Sequence, residues 1–374
     1  MGRFGHSATL LLDGRVLVAG GQDAGGAESD SAELYDPATG KFSQTGPMAY
    51  AHISPAAIML RDGRVLVTGG PLGTVLKRDS SAELYDPSTG KFTLTGFMKV
   101  ASSGQGTALL PDGRVLFAGG STTLLATYQG NYVPGDTIVL SSAELYDPIT
   151  GQFSMTGSLT TARQDPTATL LPDGRVLIAG GSLQASLVGW RPTASAELYS
   201  PATERFSPTG GMTTARVGHT ATLLTNGRVL IVGGDGDSGP IASAELYDPA
   251  TGRFSPTAAM ATARADQAAA VLVDGRVLIA GGAGPGGFSS PLASAELYDP
   301  KSETFVSAGV MTTGRDNPTA TLLLGGRVLI AGGAHGYTGG YTGGTLSPAG
   351  GSFAITWGGP ITNLALGSAE LYQP

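Results

Sequence analysis

Cysteine is missing from all 374 residues, which excludes disulfides, thiolate nucleophiles, Cys-ligated zinc and iron–sulfur clusters together. Charge is also scarce, at 14% of the chain against roughly a quarter in ordinary soluble proteins. The 22 basic residues form no run and the net charge is −7, so a nucleic-acid-binding surface is not expected. Apolar stretches such as Thr9 to Leu12 or Val229 to Val232 fall well short of the roughly 18 residues that a membrane span needs. Histidine occurs only at positions 6, 52, 219 and 335, with no pair at metal-ligand spacing. No metal or cofactor is therefore expected. No basic segment followed by an apolar one precedes the first strand-like run, so the chain reads as cytoplasmic, or as secreted or cell-surface if a leader was removed.

Glycine (59) and proline (23) are abundant, together more than a fifth of the chain. With 41% apolar residues the chain has enough apolar surface to offset its conformational entropy and fold. One phrase recurs seven times, as in Asp13-Gly14-Arg15-Val16-Leu17-Val18-Ala19-Gly20-Gly21, starting at Asp13, Asp62, Asp112, Asp173, Asn226, Asp274 and Gly325. A second phrase, Ser-Ala-Glu-Leu-Tyr-Asp-Pro, starts at Ser31, Ser81, Ser142, Ser195, Ser243, Ser294 and Ser368, with Ser200 and Gln373 replacing the Asp twice. Turn positions lie 49, 50, 61, 53, 48 and 51 residues apart, a period belonging to solenoids, propellers or arrays.

Each unit reads as four strands. Asp-Gly between apolar runs predicts a type I′ hairpin joining the first strand to the second. Asp36-Pro37-Ala38-Thr39-Gly40 predicts a turn from the third to the fourth, with Pro presetting φ and Gly left-handed. The second strands are continuously apolar, as strands covered on both faces are. Gly20-Gly21 ending the second strand, Tyr35 in the third and the aromatic Phe42 in the fourth resemble the kelch repeat. That family carries Trp where this chain has Phe42, Phe92, Phe153, Phe206, Phe254 and Phe305.

The resemblance implies an all-β, seven-bladed kelch-type β-propeller forming a single domain over 1–374, with blades near 1–46, 47–96, 97–157, 158–210, 211–258, 259–309 and 310–374. The last blade should have three strands, because Pro374 follows its third-strand phrase directly. Ring closure then rests on side-chain packing between blades one and seven. The third-strand edge of blade seven, Ser368 to Tyr372, is exposed to pairing, and Ser352-Phe353-Ala354-Ile355-Thr356-Trp357 is a candidate cover. A monomer is expected, with association through that edge as the alternative.

Positions shared by all copies read as scaffold. Seven strand glutamates (Glu33, Glu83, Glu144, Glu197, Glu245, Glu296, Glu370) need partners, and Arg15, Arg64, Arg114, Arg175, Arg228, Arg276 and Arg327 are available in equal number. Variable positions read as site. Just before the first strands stand Arg3, His52, Ser102, Arg163, Arg216, Arg264 and Arg315. Two residues on come Gly5, Ser54, Gly104, Asp165, Gly218, Asp266 and Asn317, and His219 follows Gly218. A mouth carrying Arg163, Arg216, Arg264 and Arg315, with Asp165, Asp266 and nearby Asp316, would suit a carboxylate, phosphate or glycan. His6 and His219 also read as polar core residues near the axis. The inserts between second and third strands add aromatics for stacking, Tyr128, Tyr132, Trp190 beside Arg191, and Trp357; alternatively they pack the loops onto the rim. Asp235-Gly236-Asp237-Ser238-Gly239 lacks the ligands of a calcium loop.

These features favour a binding module for a glycan or protein segment over an enzyme. The rival reading, allowed by the resemblance to kelch-type sialic acid epimerases, is a sugar-modifying enzyme using Asp165, Asp266 and Asp316. A third is a scaffold without a small-molecule ligand. The tyrosine–cysteine cofactor of galactose oxidase, another kelch-like propeller, is excluded by the lack of cysteine.

Overall fold

The computed structural model describes residues 1–69, 80–128, 131–184, 191–338 and 362–374. It is all β: among the described residues there is no α-helix, and none long and apolar enough to cross a membrane. Six four-stranded antiparallel sheets and one three-stranded sheet form the seven blades of a β-propeller. In blade one the strands are Ser7–Leu10, Val16–Ala19, Ala32–Asp36 and Lys41–Gln44, paired in that order. Among the described residues, blade seven has three, Thr319–Leu322, Val328–Ala331 and Ala369–Tyr372.

The hairpin between the first two strands departs from the expected type I′ form. Only Gly14, at φ 87°, is left-handed; Asp13 is not. Gly14 N–H bonds Leu11 C=O at 3.0 Å, and Leu11 N–H bonds Arg15 C=O at 2.8 Å. This is a three-residue loop, a turn closed by a left-handed glycine. The Asp keeps its place for another reason: its carboxylate accepts the Arg15 N–H at 3.0 Å and the guanidinium Nε–H at 2.8 Å.

That finding also corrects the pairing of the strand glutamates. Arg15, Arg64, Arg114, Arg175 and Arg276 bind the Asp two residues before them at the hairpin surface. The glutamates take the arginines that precede the first strands. Arg216 donates to Glu245 at 2.9 Å, and Arg163 and Arg264 reach Glu197 and Glu296 at 3.0 Å. Arg3 pairs with Glu33 and Arg315 with Glu370 in the same way.

Successive blades are stitched by apolar clusters and by a repeated hydroxyl pair. The second-strand residues are buried throughout. A threonine at the end of one blade's outer strand bonds the third-strand tyrosine of the next: Thr45–Tyr85, Thr95–Tyr146, Thr156–Tyr199, Thr209–Tyr247 and Thr257–Tyr298, at 2.8–3.0 Å. Each of those tyrosines also packs on its own blade's outer-strand Phe, with centroids 4.8–4.9 Å apart.

The seam between blades seven and one keeps the inner part of this pattern. Val16, Val18 and Tyr35 pack with Leu323, Leu329 and Ala331. Gly333 N–H bonds Arg3 C=O at 3.2 Å, the counterpart of Gly234 N–H to Arg264 C=O at 2.8 Å. His6 Nε2 meets Thr319 Oγ1 at 3.0 Å. Among the described residues the seam is held by packing and point contacts. Ser352 to Trp357, the expected cover of the edge, lies outside the described residues.

Candidate functional site

The residue two beyond the ring arginine takes a left-handed conformation in every blade: Gly5, Ser54, Gly104, Asp165, Gly218, Asp266 and Asn317 have φ between 45° and 66°. Only Gly, Asn, Asp and a few other residues tolerate that region, which accounts for the choice of residues at this variable position. Neighbours interlock. Ser54, Asp165 and Asp266 donate N–H to the carbonyls of Gly5, Gly104 and Gly218, each at 2.8 Å. A Cβ on Gly104 would sit 3.1 Å from the Asp165 carboxyl carbon, one on Gly218 3.3 Å from that of Asp266, and one on Gly5 3.1 Å from the Ser54 hydroxyl. Glycine in one blade makes room for the side chain of the next.

Among the described residues, no ion pair neutralises the carboxyls gathered here. Burial holds Asp266 well above the usual carboxylate range, and the charges of Asp316, Asp235 and Asp165 push it further. Burial raises Asp316 to about 7, with Asp235 adding to it, and raises Asp165 to about 6 against a hydrogen bond from Gln164. Asp235 is raised by burial as well. Asp316 is only 2% exposed, and its Oδ1 has no hydrogen-bond partner among the described residues. Asp235, set aside above as a weak calcium loop, starts a two-stranded hairpin, Asp235–Gly236 with Gly239–Pro240. It also bridges Val217 across the chain. Its position just after the Gly pair, filled elsewhere by Gln22, Ser121, Ser182, Ala283 and Ala334, is variable between copies, and that variation was the available signal.

Arg163, Arg216, Arg264 and Arg315 do not face the opening. All four are fully buried. Each donates Nη1–H to the first glycine of the Gly pair and to the serine carbonyl that opens the third-strand phrase, and Nη2–H to that serine's hydroxyl and to the strand glutamate. A carboxylate inside a dry sheet draws the guanidinium inward, because an unpaired buried charge is far costlier than a paired one. The constant separation of 17 residues between arginine and glycine was the sequence signal for this role. The ring arginines are thus held inside the blades, where the sequence suggested that they face the mouth.

His219 is buried, its Nε2 on Thr167 Oγ1 at 3.0 Å, and burial with the nearby Arg216 charge lowers its pKa to about 3. His6 is held the same way, also at about 3. Both are neutral spacers between blades. Tyr128 and Tyr132 lie on the hairpin Ser121–Tyr128 and Asn131–Val139 of blade three, but their side chains are not among those described. Trp190 and Trp357 lie outside the described residues, while Arg191 is exposed. Among the described residues no group of three or more His, Cys, Asp or Glu is disposed to hold a metal ion.

A concavity of about 420 Å³ lies on the opposite face, among the hairpins of blades two and three. Among its charges, Arg114 is held by Asp112 and Glu204, and Asp62 by Arg64.

The kelch motif matches residues 3–49. Comparison with curated proteins gives no match. Similar solved structures are many, 832 chains. One is a fungal alcohol oxidase of the AA5 family, solved in complex with copper. It is 19% identical with a TM-score of 0.70, over 89% of this chain and 70% of that one. At that identity the likeness is one of fold, and fold alone does not assign an activity. One phrase folds seven times into the same sheet, so the chain is a seven-bladed β-propeller whose first blade, residues 3–49, matches the kelch motif.

Proposed function

We propose that the protein is a binding module whose mouth, on the side of blades four to seven, receives a positively charged group carried by a protein segment or by an amino-bearing glycan. The observation that carries this reading is the set Asp165, Asp235, Asp266 and Asp316, mutually repelling and without a cation, with one buried Asp316 oxygen left unpartnered. A ligand cation would supply the missing charge and hydrogen bonds. The carboxyls must ionise to hold it, so affinity rises with pH through about 6 to 7 and binding releases protons.

Arrays of basic peptides and of amino-sugar glycans, probed at pH 5.5 and pH 8, test the reading. Binding should be stronger at pH 8, and Asp316→Asn should weaken it roughly tenfold, the loss of one buried charged contact. Equal binding at both pH values by the wild type and Asp316→Asn would refute it.

A second reading draws on the same pair of values. Burial raises both Asp165 and Asp316 toward neutrality, where a carboxyl can exchange a proton as a general acid or base does. It supports a sugar-modifying enzyme if candidate sugars exchange a C–H proton with deuterated water and Asp165→Asn or Asp266→Asn abolishes the exchange.

A further inference from the structure

The concavity of about 420 Å³ between blades two and three lies on the face away from the mouth, among the hairpins that join first to second strands and the turns that join third to fourth. Two of its residues break the repeat. Where Arg61 stands, the other blades have Leu12, Pro111, Pro172, Thr225, Val273 and Leu324; where Ile149 stands, the others with this turn have Ala38, Ser88, Ala202, Ala250 and Lys301. The two exceptions come from different blades and line the same space. Loop positions that depart from a repeated scaffold are where binding residues are found, and here two departures meet.

Arg61 is exposed and reaches across to blade three, where it donates to the Pro111 carbonyl and its Cδ would lie 3.5 Å from a Cβ on Gly113. A carbonyl holds a guanidinium in place without neutralising it and leaves most of its N–H donors for a ligand. Asp147, on the turn of blade three, spends one carboxylate oxygen on the Ile149 N–H at 2.8 Å. Asp62 and Asp112 are matched by Arg64 and Arg114. Among the described residues neither Arg61 nor Asp147 has an ion-pair partner, and the two do not pair with each other. Ile149 is 94% exposed, the most of any large apolar side chain described, and Leu60 and Pro148 extend the apolar lining. Alanine at that place in blades one, four and five shows that the turn itself does not require an aliphatic chain.

We infer that this concavity is a second binding site, separate from the mouth, for a zwitterion with an aliphatic side chain: a free aliphatic amino acid or a short aliphatic peptide. The ligand carboxylate takes the Arg61 guanidinium, its ammonium group takes the remaining oxygen of Asp147, and its side chain lies on Ile149 and Leu60. A ligand with both charges adds no net charge to the site, whereas a plain carboxylate would be repelled by Asp147 and a plain amine by Arg61. The space falls within the range of about 300–1,000 Å³ typical of small-ligand clefts.

The test titrates the full chain with leucine and with leucyl-leucine, followed by nuclear magnetic resonance. Binding should saturate and shift the amide signals of Arg61, Gly113 and Ile149; saturation by leucine supports the free amino acid as ligand, saturation by the dipeptide alone supports the peptide. Each variant needed copies another blade and so has a folded precedent: Arg61→Leu as in Leu12 and Leu324, Asp147→Ser as in Ser200, Ile149→Ala as in Ala38. Converting the ligand carboxylate to an amide should weaken binding about threefold to fivefold, the range of an exposed ion pair, and that loss should vanish in Arg61→Leu. Acetylating the ligand amine should do the same, with the loss vanishing in Asp147→Ser, so that two double-mutant cycles fix the ligand's direction. Glycyl-glycine should bind at least threefold more weakly than leucyl-leucine, roughly the gain from burying one or two methylene groups, and Ile149→Ala should narrow that gap. The inference is overturned if neither leucine nor leucyl-leucine saturates, if the amide and acetyl losses persist in Arg61→Leu and Asp147→Ser, or if the shifted signals belong to the mouth alone.

Discussion

Blades three and five carry the same strand glutamate and treat it differently. In blade five, Glu245 accepts the N–H groups of Thr213 and Thr214 at 2.7 and 3.2 Å, with Arg216 beside it at 2.9 Å. In blade three, Glu144 accepts those of Lys99 and Val100, both at 2.7 Å, but Ser102 stands where the arginine would be. The Gln105 amide instead bonds Ser102, at 3.0 Å to its carbonyl and 2.6 Å to its hydroxyl. Burial consequently holds Glu144 above the usual carboxylate range. The constant task of the glutamate is to clamp the incoming connector by its amides. The arginine is a second layer that neutralises the clamp, and a blade forms without it.

The largest effect follows from breaking blade five to resemble blade three. Arg216→Ala leaves Glu245 buried and unpaired among groups that evolved around a cation, and should cost about 3–5 kcal/mol in chemical denaturation. Ser102→Ala in blade three should cost under about 1 kcal/mol. Equal losses would mean that the arginine contributes by packing rather than by charge.

The reverse change sharpens the contrast. Blade six holds Arg264 and Gln267 at the spacing of positions 102 and 105, so Ser102→Arg has a precedent, with Gly119, Ser142 and Glu144 in place to receive it. It should stabilise by about 1–2 kcal/mol at pH 7. The sign with pH is fixed: Glu144, whose folded pKa is raised, binds its proton more tightly in the native state, so its contribution falls as pH rises above about 4.5. The advantage of Ser102→Arg should therefore grow from pH 4 to pH 7. A gain independent of pH would point to added packing.

The smallest effects bound the contrast at the junctions, where the two blades agree. Thr95–Tyr146 and Thr209–Tyr247 are alike at 2.8 and 3.0 Å, so Thr95→Val and Thr209→Val should each lower stability by about 1 kcal/mol. Tyr35→Phe should change melting by no more than the equivalent of about 0.5 kcal/mol.

Much of the architecture was legible because repetition writes it seven times. The Gly pairs, the Pro-Gly turns and the strand phrase located the strands of each blade, and the missing outer strand of blade seven followed from where the last copy stops. The turn type at Asp13-Gly14 was not legible, because Asp-Gly serves two loop geometries and only the register Leu11 to Arg15 separates them. At the candidate site, the ring arginines expected to face the mouth are instead buried on the strand glutamates. The aspartates sit at the axis, while the arginines beside them turn inward, and nothing in a list of residue types says toward which end of a strand a long side chain reaches.

The axial ring of left-handed residues runs Gly5, Ser54, Gly104, Asp165, Gly218, Asp266, Asn317, an alternation of empty and filled places. Alternation can be completed round a circle only when the number of members is even. With seven, at least one pair of neighbours must be alike, and here the pair is a filled one, Asp266 and Asn317 of blades six and seven. Beside that junction stands Asp316, one of the charges that press on Asp266. The parity of the blade count thus breaks the rotational symmetry of the ring, and the like pair falls where these carboxyls gather.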